Sequence, residues 1–248
     1  MSYFHYQDKK IYYREVGQGK PLIMLHGDAV SSVMFEMLLP LYQEQFHVIL
    51  IDFLGNGKSD RVDSLPSNLW ITQADQVIAL IEHLKLKKVN VLGTSGGAWA
   101  AINTALKRPE LVNKVIADSF DGRSLDDSFV EELLKERTFA KQDVDGREFY
   151  EWCQGDDWEV VVDLNTQALV ECATKKEALF IKPLETLKVP ILFIGSQQDD
   201  MCRKDMYLEY KEMSKLVEDG TIYMFDSGAH PAIVSNAEQF SSIVLKFI

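Results

Sequence analysis

The stretch Gly93-Thr94-Ser95-Gly96-Gly97 constrains this chain more than any other. It follows an apolar run at 89–92 and opens a helix-like run at 98–106. A G-x-S-x-G between a buried strand and a helix is a turn so tight that a Cβ at the flanking positions would meet neighbouring backbone, which is why glycine stands there. The turn lifts the Ser95 hydroxyl above the sheet edge. It also sets the Gly96 N–H at the positive end of the following helix, facing the place where an oxyanion would form. Ser95 is thereby a candidate nucleophile and Gly96 a candidate oxyanion donor.

The surrounding pattern agrees with such a unit. Residues 3–6 and 11–16 are β-rich on either side of the polar tip Gln7-Asp8-Lys9-Lys10. Continuous apolar strands are expected at 21–25, 47–51, 89–92, 115–117, 190–194 and 221–225. A short helix fits 31–45, and longer ones fit 206–217 and 236–247. A helix at 72–86 carries Ala74, Val77, Ile78, Ile81 and Leu84 at helical spacing, with Thr72 as its N-cap. Continuous apolar strands alternating with helices predict an α/β fold, its mostly parallel sheet covered on both faces. From 120 to 188 the pattern turns polar and helical, with acidic pairs and scattered aromatics. The expected organisation is therefore a core of 1–119 and 189–248 carrying a helical lid at 120–188.

Composition narrows the partners. A net charge of −12 over 248 residues excludes the basic stripe that nucleic acid requires. No apolar run reaches the roughly 20 residues that span a bilayer. Cys153, Cys172 and Cys202 are odd in number and widely spaced, which fits neither a disulfide framework nor a C-x-x-C metal site. The start, Met1-Ser2-Tyr3-Phe4-His5-Tyr6, lacks the basic and apolar regions of a signal peptide. A cytoplasmic protein acting on a small molecule, without metal or organic cofactor, is the expectation.

A serine hydroxyl needs a base, and the base needs an orienting carboxylate. His5 and His47 lie in or beside early strands, and His83 lies in a helix. His230 follows the strand at 221–225, and parallel strands share one carboxyl edge, so its loop belongs on the side of Ser95. The loop after 191–194, Gly195-Ser196-Gln197-Gln198-Asp199-Asp200-Met201, exits that edge one strand earlier. Asp199 is the expected acid and Asp200 its rival, with Asp118 and Asp121 ranked lower. The order Ser, Asp, His is the one expected of this turn type. His26-Gly27-Asp28 follows the strand at 21–25, where the Asp28 N–H could join that of Gly96 in an oxyanion hole. His26 reads as a residue that shapes this loop by hydrogen bonding. Phe53 and Trp99 are expected to line the pocket.

Taken with these residues, Asp52-Phe53-Leu54-Gly55-Asn56-Gly57-Lys58-Ser59 is similar to a D-x-x-G-x-G-x-S loop, and Ala105-Leu106-Lys107-Arg108-Pro109-Glu110 to the segment closing the helix after the nucleophile. Val189-Pro190 and Gly228-Ala229-His230-Pro231 match further landmarks. Across nearly its whole length the chain resembles the α/β-hydrolase superfamily. The resemblance implies that fold and a serine hydrolase acting on small carboxylic esters, with Ser95, His230 and Asp199 as nucleophile, base and acid. Family dehalogenases and epoxide hydrolases carry Asp where this chain has Ser95. Amide or peptide hydrolysis is the alternative within the enzyme class, and a binding or signalling homologue with little turnover the alternative outside it. Asp28 departs from the family, where an apolar residue or Asn is common. Its carboxylate must point away from the oxyanion, be protonated or bind a substrate cation.

Overall fold

In the computed structural model, which describes residues 2–248, the chain opens with the expected hairpin, β1 (Ser2–Tyr6) and β2 (Lys9–Val16). Six further strands follow: β3 (Lys20–Leu25), β4 (Phe46–Ile51), β5 (Val89–Thr94), β6 (Val112–Asp118), β7 (Ile191–Ser196) and β8 (Gly220–Phe225). They pair in the order β1-β2-β4-β3-β5-β6-β7-β8. Only β1–β2 and β2–β4 run antiparallel; β3 to β8 are parallel throughout. The expected sheet is therefore present, and its register brings one edge together. Leu25 pairs with Gly93, Thr94 with Asp118, Asp118 with Ile194, and Ser196 with Phe225.

Successive strand side chains alternate between faces, so a sheet covered on both sides needs apolar residues at every position. Ile23, Leu25, Val91 and Phe193 pack on one face against α1 (Leu69–His83), α2 (Gly96–Lys107) and α6 (Met206–Leu216). Leu22, Met24, Leu92 and Leu192 pack on the other, against Phe35 and against Ile233, Phe240 and Val244 of α7 (Ala232–Ser235) and α8 (Ala237–Phe247). Between β6 and β7 come α3 (Phe129–Gln142), α4 (Val144–Gln154) and α5 (Trp158–Lys175). This helical segment is tied to the loops after β3 and β4. Ser31 Oγ donates to the Cys153 carbonyl at 2.6 Å, Gly57 N to Gln154 Oε1 at 2.6 Å, and Arg61 to Asp157 and the Gln154 carbonyl.

Three local expectations change. The helix expected within 31–45 is a tight 3-10 segment at Ser32–Leu41 that contains Pro40. The helix expected at 72–86 begins at Leu69 and ends at His83, because the buried Leu69 and Trp70 extend its apolar face by a turn. Thr72 is thus inside the helix rather than its cap, and its hydroxyl donates to the Asn68 carbonyl at 3.1 Å. α7, only four residues long, is too short to show a period and carries no expectation from the sequence. No helix among the described residues is long and apolar enough to cross a membrane.

Candidate active site

Ser95 sits between β5 and α2 with φ 53° and ψ −127°, a left-handed conformation for a residue with a Cβ. Such a conformation costs about 1–3 kcal/mol and persists only where its surroundings over-determine it. Here they do. Ser95 N donates to the Asp118 carbonyl at 2.8 Å, and Ala98 N closes the first helical turn on the Ser95 carbonyl at 2.9 Å. A Cβ on Gly97 would lie 2.5 Å from the Leu25 carbonyl oxygen and 2.6 Å from that of His26; one on Gly93 would collide with the Gly97 carbonyl. Gly93 thus permits β5 and α2 to meet so closely, and Gly97 permits α2 to approach the end of β3.

The structure brings His230 and Asp199 together. His230 Nδ1 lies 2.9 Å from Asp199 Oδ2, while Asp199 Oδ1 accepts from Met201 N at 3.0 Å and Cys202 N at 3.2 Å. Burial pushes the Asp199 carboxyl up, but the His230 bond and charge and these N–H groups hold it below the usual range. Burial also pushes the His230 imidazole down, and the Asp199 carboxylate more than reverses this, leaving it raised. The histidine loop is held by Ser196 Oγ on the Gly228 carbonyl at 2.6 Å and by Ala232 N on Ser119 Oγ at 2.9 Å. Asp200 is exposed beside the buried Asp199. Asp118 is fully buried among Thr94, Ser119 and the Ile233 N–H, and its burial raises its carboxyl to about 7. Asp121 accepts from Arg203 N at 2.8 Å and is raised by burial to about 6. Of the four acids, Asp199 alone bonds His230 among the described residues. Ser95 Oγ itself makes no hydrogen bond to His230 there; in ligand-free sites this contact is often long and tightens around substrate.

Across the elbow, the Asp28 carboxylate lies against Gly96, where an added Cβ would collide with it. Trp70 Nε1 donates to its two oxygens at 3.1 and 3.2 Å, and Asn165 Nδ2 to Oδ1 at 3.3 Å. Burial outweighs these donors and the nearby Arg137, so the Asp28 carboxyl is raised. Asp28, Ser95 and His230 are each of intermediate burial as residues. Asn165 Oδ1 is buried without a hydrogen-bond partner. The N–H groups of Asp28 and Gly96 find no acceptor within the described residues, which leaves both free for an oxyanion. His26 is fully occupied. Its Nδ1 donates to the Gly27 carbonyl at 2.7 Å and its Nε2 accepts from Phe53 N at 3.0 Å, so it shapes the loop.

The two expected pocket residues are buried. Phe53 has no exposed surface and packs against His26 at 4.8 Å. Trp99 is 4% exposed, stacked on Trp70 at 4.1 Å with its Nε1 on the Gly122 carbonyl. Both serve the core, since large aromatic rings gain most by full burial. Trp70 and Asn165, which touch Asp28, carry no sequence signal beyond helical apolarity. Cys202 Sγ, 3.7 Å from His230 Nδ1, is the third unforeseen neighbour.

Comparison with known proteins agrees with the fold. The profile of the family described as alpha/beta hydrolase fold matches residues 20–157. The chain is 36% identical over 127 residues to a proline iminopeptidase of Clostridium botulinum, covering 48% of this chain and 42% of the relative. In that match the chain spans less than half of the relative's length. It is 25% identical to a carboxylesterase of Bacillus subtilis over 92% of this chain and 79% of the other. Among solved structures, a meta-cleavage product hydrolase from Pseudomonas fluorescens superposes with a TM-score of 0.80 at 20% identity, covering 97% of this chain and 94% of that one. An esterase from Exiguobacterium antarcticum superposes at 0.78 and 21% identity, covering 99% and 98%.

Proposed function

The chain belongs to the alpha/beta-hydrolase family, and from that premise we propose that it is a serine hydrolase of small carboxylic esters. The observation that carries the reading is the 2.9 Å bond between His230 and the buried Asp199, on the sheet edge that also carries the strained Ser95. Ser95 Oγ attacks the ester carbonyl while His230 Nε2 takes its proton. Asp199 keeps the other imidazole proton on Nδ1 and stabilises the imidazolium. The Asp28 and Gly96 N–H groups hold the oxyanion. His230 then returns the proton to the leaving alcohol, and water, activated by the same imidazole, releases the acyl group. Residues 120–188 act as a lid over this edge, and no step requires a metal or cofactor. The 25% identity to a carboxylesterase over 92% of this chain and 79% of the relative supports ester chemistry.

A second reading has its own observation. The Asp28 carboxylate and the buried, unpartnered Asn165 Oδ1 place two acceptors beside the elbow. That spot suits a substrate ammonium, and the proline iminopeptidase relative fits an amidase of this kind. Steady-state rates on p-nitrophenyl esters of graded length and on amino-acid p-nitroanilides decide between them. The ester reading expects short esters to turn over faster, with Ser95→Ala inactive on all. A preference for the anilides replaces it with the second, and undiminished turnover by Ser95→Ala overturns both.

A further inference from the structure

The proposed proton route leaves one thiol beside it unused. Cys202 follows the acid loop, and its backbone N–H on Asp199 Oδ1 fixes it beside the carboxylate. Its Sγ lies 3.7 Å from His230 Nδ1, which lies 2.9 Å from Asp199 Oδ2, and one ligand atom from each residue falls within 4.8 Å of the other two. Tetrahedral zinc takes nitrogen and oxygen at about 2.0–2.2 Å and sulfur at about 2.3 Å, which sets neighbouring ligand atoms about 3.3–3.6 Å apart. The two distances to His230 Nδ1, 2.9 and 3.7 Å, lie within a few tenths of an ångström of that spacing, and the thiol and carboxylate, no more than 4.8 Å apart, close up to meet it. Sulfur, imidazole and carboxylate together form a donor set that suits zinc rather than magnesium or calcium. Cys202 and His230 are of intermediate burial as residues, and Asp118 and Asp121 add negative charge around the imidazole.

We propose that His230 Nδ1, Cys202 Sγ and an Asp199 carboxylate oxygen form an inhibitory site for zinc or a cation of similar softness. Water fills the fourth position. Binding balances simply: the thiol proton leaves to solvent, and the imidazole proton on Nδ1 moves to Nε2, because Nδ1 must present its lone pair to the metal. An imidazole protonated on Nε2 has no lone pair there to accept the Ser95 proton, so the base is switched off without any movement of the nucleophile. The site stands on its own geometry; the loss of turnover rests on the catalytic reading above.

The two parts are tested separately. Cobalt(II), a spectroscopic stand-in for zinc, is titrated into Ser95→Ala, where hydrolysis plays no part. A thiolate-to-cobalt charge-transfer band in the near ultraviolet is expected, and it is expected to be absent from Ser95→Ala/Cys202→Ser, which retains Cys153 and Cys172. No band in the single variant, or an equal band in the double variant, overturns the site. In the otherwise unaltered chain, saturating zinc is expected to lower ester kcat/KM about 100-fold or more, the scale of lost general-base catalysis, with recovery on adding EDTA. Cys202→Ser and Cys202→Ala are each compared with their own metal-free rate and are expected to need at least about tenfold more zinc for half-inhibition. Equal zinc sensitivity in both variants, or a cobalt band accompanied by undiminished turnover in zinc, overturns the switch. A chain without any ester or amide turnover refutes the catalytic reading, and the cobalt band still decides the site.

Discussion

Replacing Asp199 by Asn leaves the shape of the site almost unchanged and alters one proton. Asp199 Oδ1 accepts two backbone N–H groups, from Met201 at 3.0 Å and Cys202 at 3.2 Å, while Oδ2 faces His230 Nδ1. An asparagine keeps its single oxygen where two donors need it, because the reverse orientation strands both N–H groups, at about 1–3 kcal/mol each. The new NH2 group therefore faces His230. The imidazole answers by accepting at Nδ1 and carrying its proton on Nε2, the tautomer that cannot take a proton from Ser95. Where an acid-to-amide change imposes this tautomer, kcat falls about ten-thousand-fold, equivalent to about 5 kcal/mol of transition-state stabilisation. The assay is steady-state hydrolysis of a short p-nitrophenyl ester by the parent, Asp199→Asn and Asp200→Asn, with thermal unfolding alongside. Asp200 is exposed, so its variant should stay within about twofold of the parent, as surface changes away from a site do. An Asp199→Asn variant that folds and retains a tenth of the parental kcat would refute the tautomer argument, and loss of activity in Asp200→Asn instead would move the acid by one residue.

Three further outcomes follow from the same geometry. The Asp199 carboxylate raises His230 above its ordinary value of 6.5, and the base works only when neutral, so ester kcat/KM should fall as pH drops through a point above 6.5. With residual activity measured in Asp199→Asn, that limb should move downward, since only the burial that disfavours imidazolium remains. Gly97→Ala sets a Cβ 2.5 Å from the Leu25 carbonyl oxygen and should lower stability by about 1–3 kcal/mol in urea unfolding, with activity lost in proportion to the displaced elbow. Arg61→Ala removes the bonds to Asp157 and to the Gln154 and Gly57 carbonyls, and should speed amide exchange at the end of α4 while costing about 1 kcal/mol at this half-exposed position.

What could be read from residues alone was what depends on neighbours in the chain. The elbow is legible because its whole pattern lies within five residues and the clash that demands glycine at 93 is local, although glycine at 97 answers to the Leu25 and His26 carbonyls. His230 and Asp199 are legible because parallel strands deliver successive loops to one edge, so chain order alone puts them beside Ser95. Partners that meet across the fold were not legible. Trp70 reaches Asp28 over 42 positions and Asn165 over 137, and nothing local in α1 or α5 marks either as polar-facing. Phe53 and Trp99 show the complementary ambiguity. An aromatic beside a motif looks the same whether it lines a recess or fills the core, and burial decided for the core. Cys202 was visible only as an odd thiol, because its nearness to His230 depends on how the acid loop bends back after Asp199.

The most direct test is to incubate the protein with an active-site fluorophosphonate and read intact mass and peptide map, with Ser95→Ala in parallel. A single adduct on Ser95, absent from the variant and accompanied by turnover of short esters in the parent, is the predicted result. An adduct on another residue, or none on a folded protein, would contradict the assignment of Ser95 as the nucleophile.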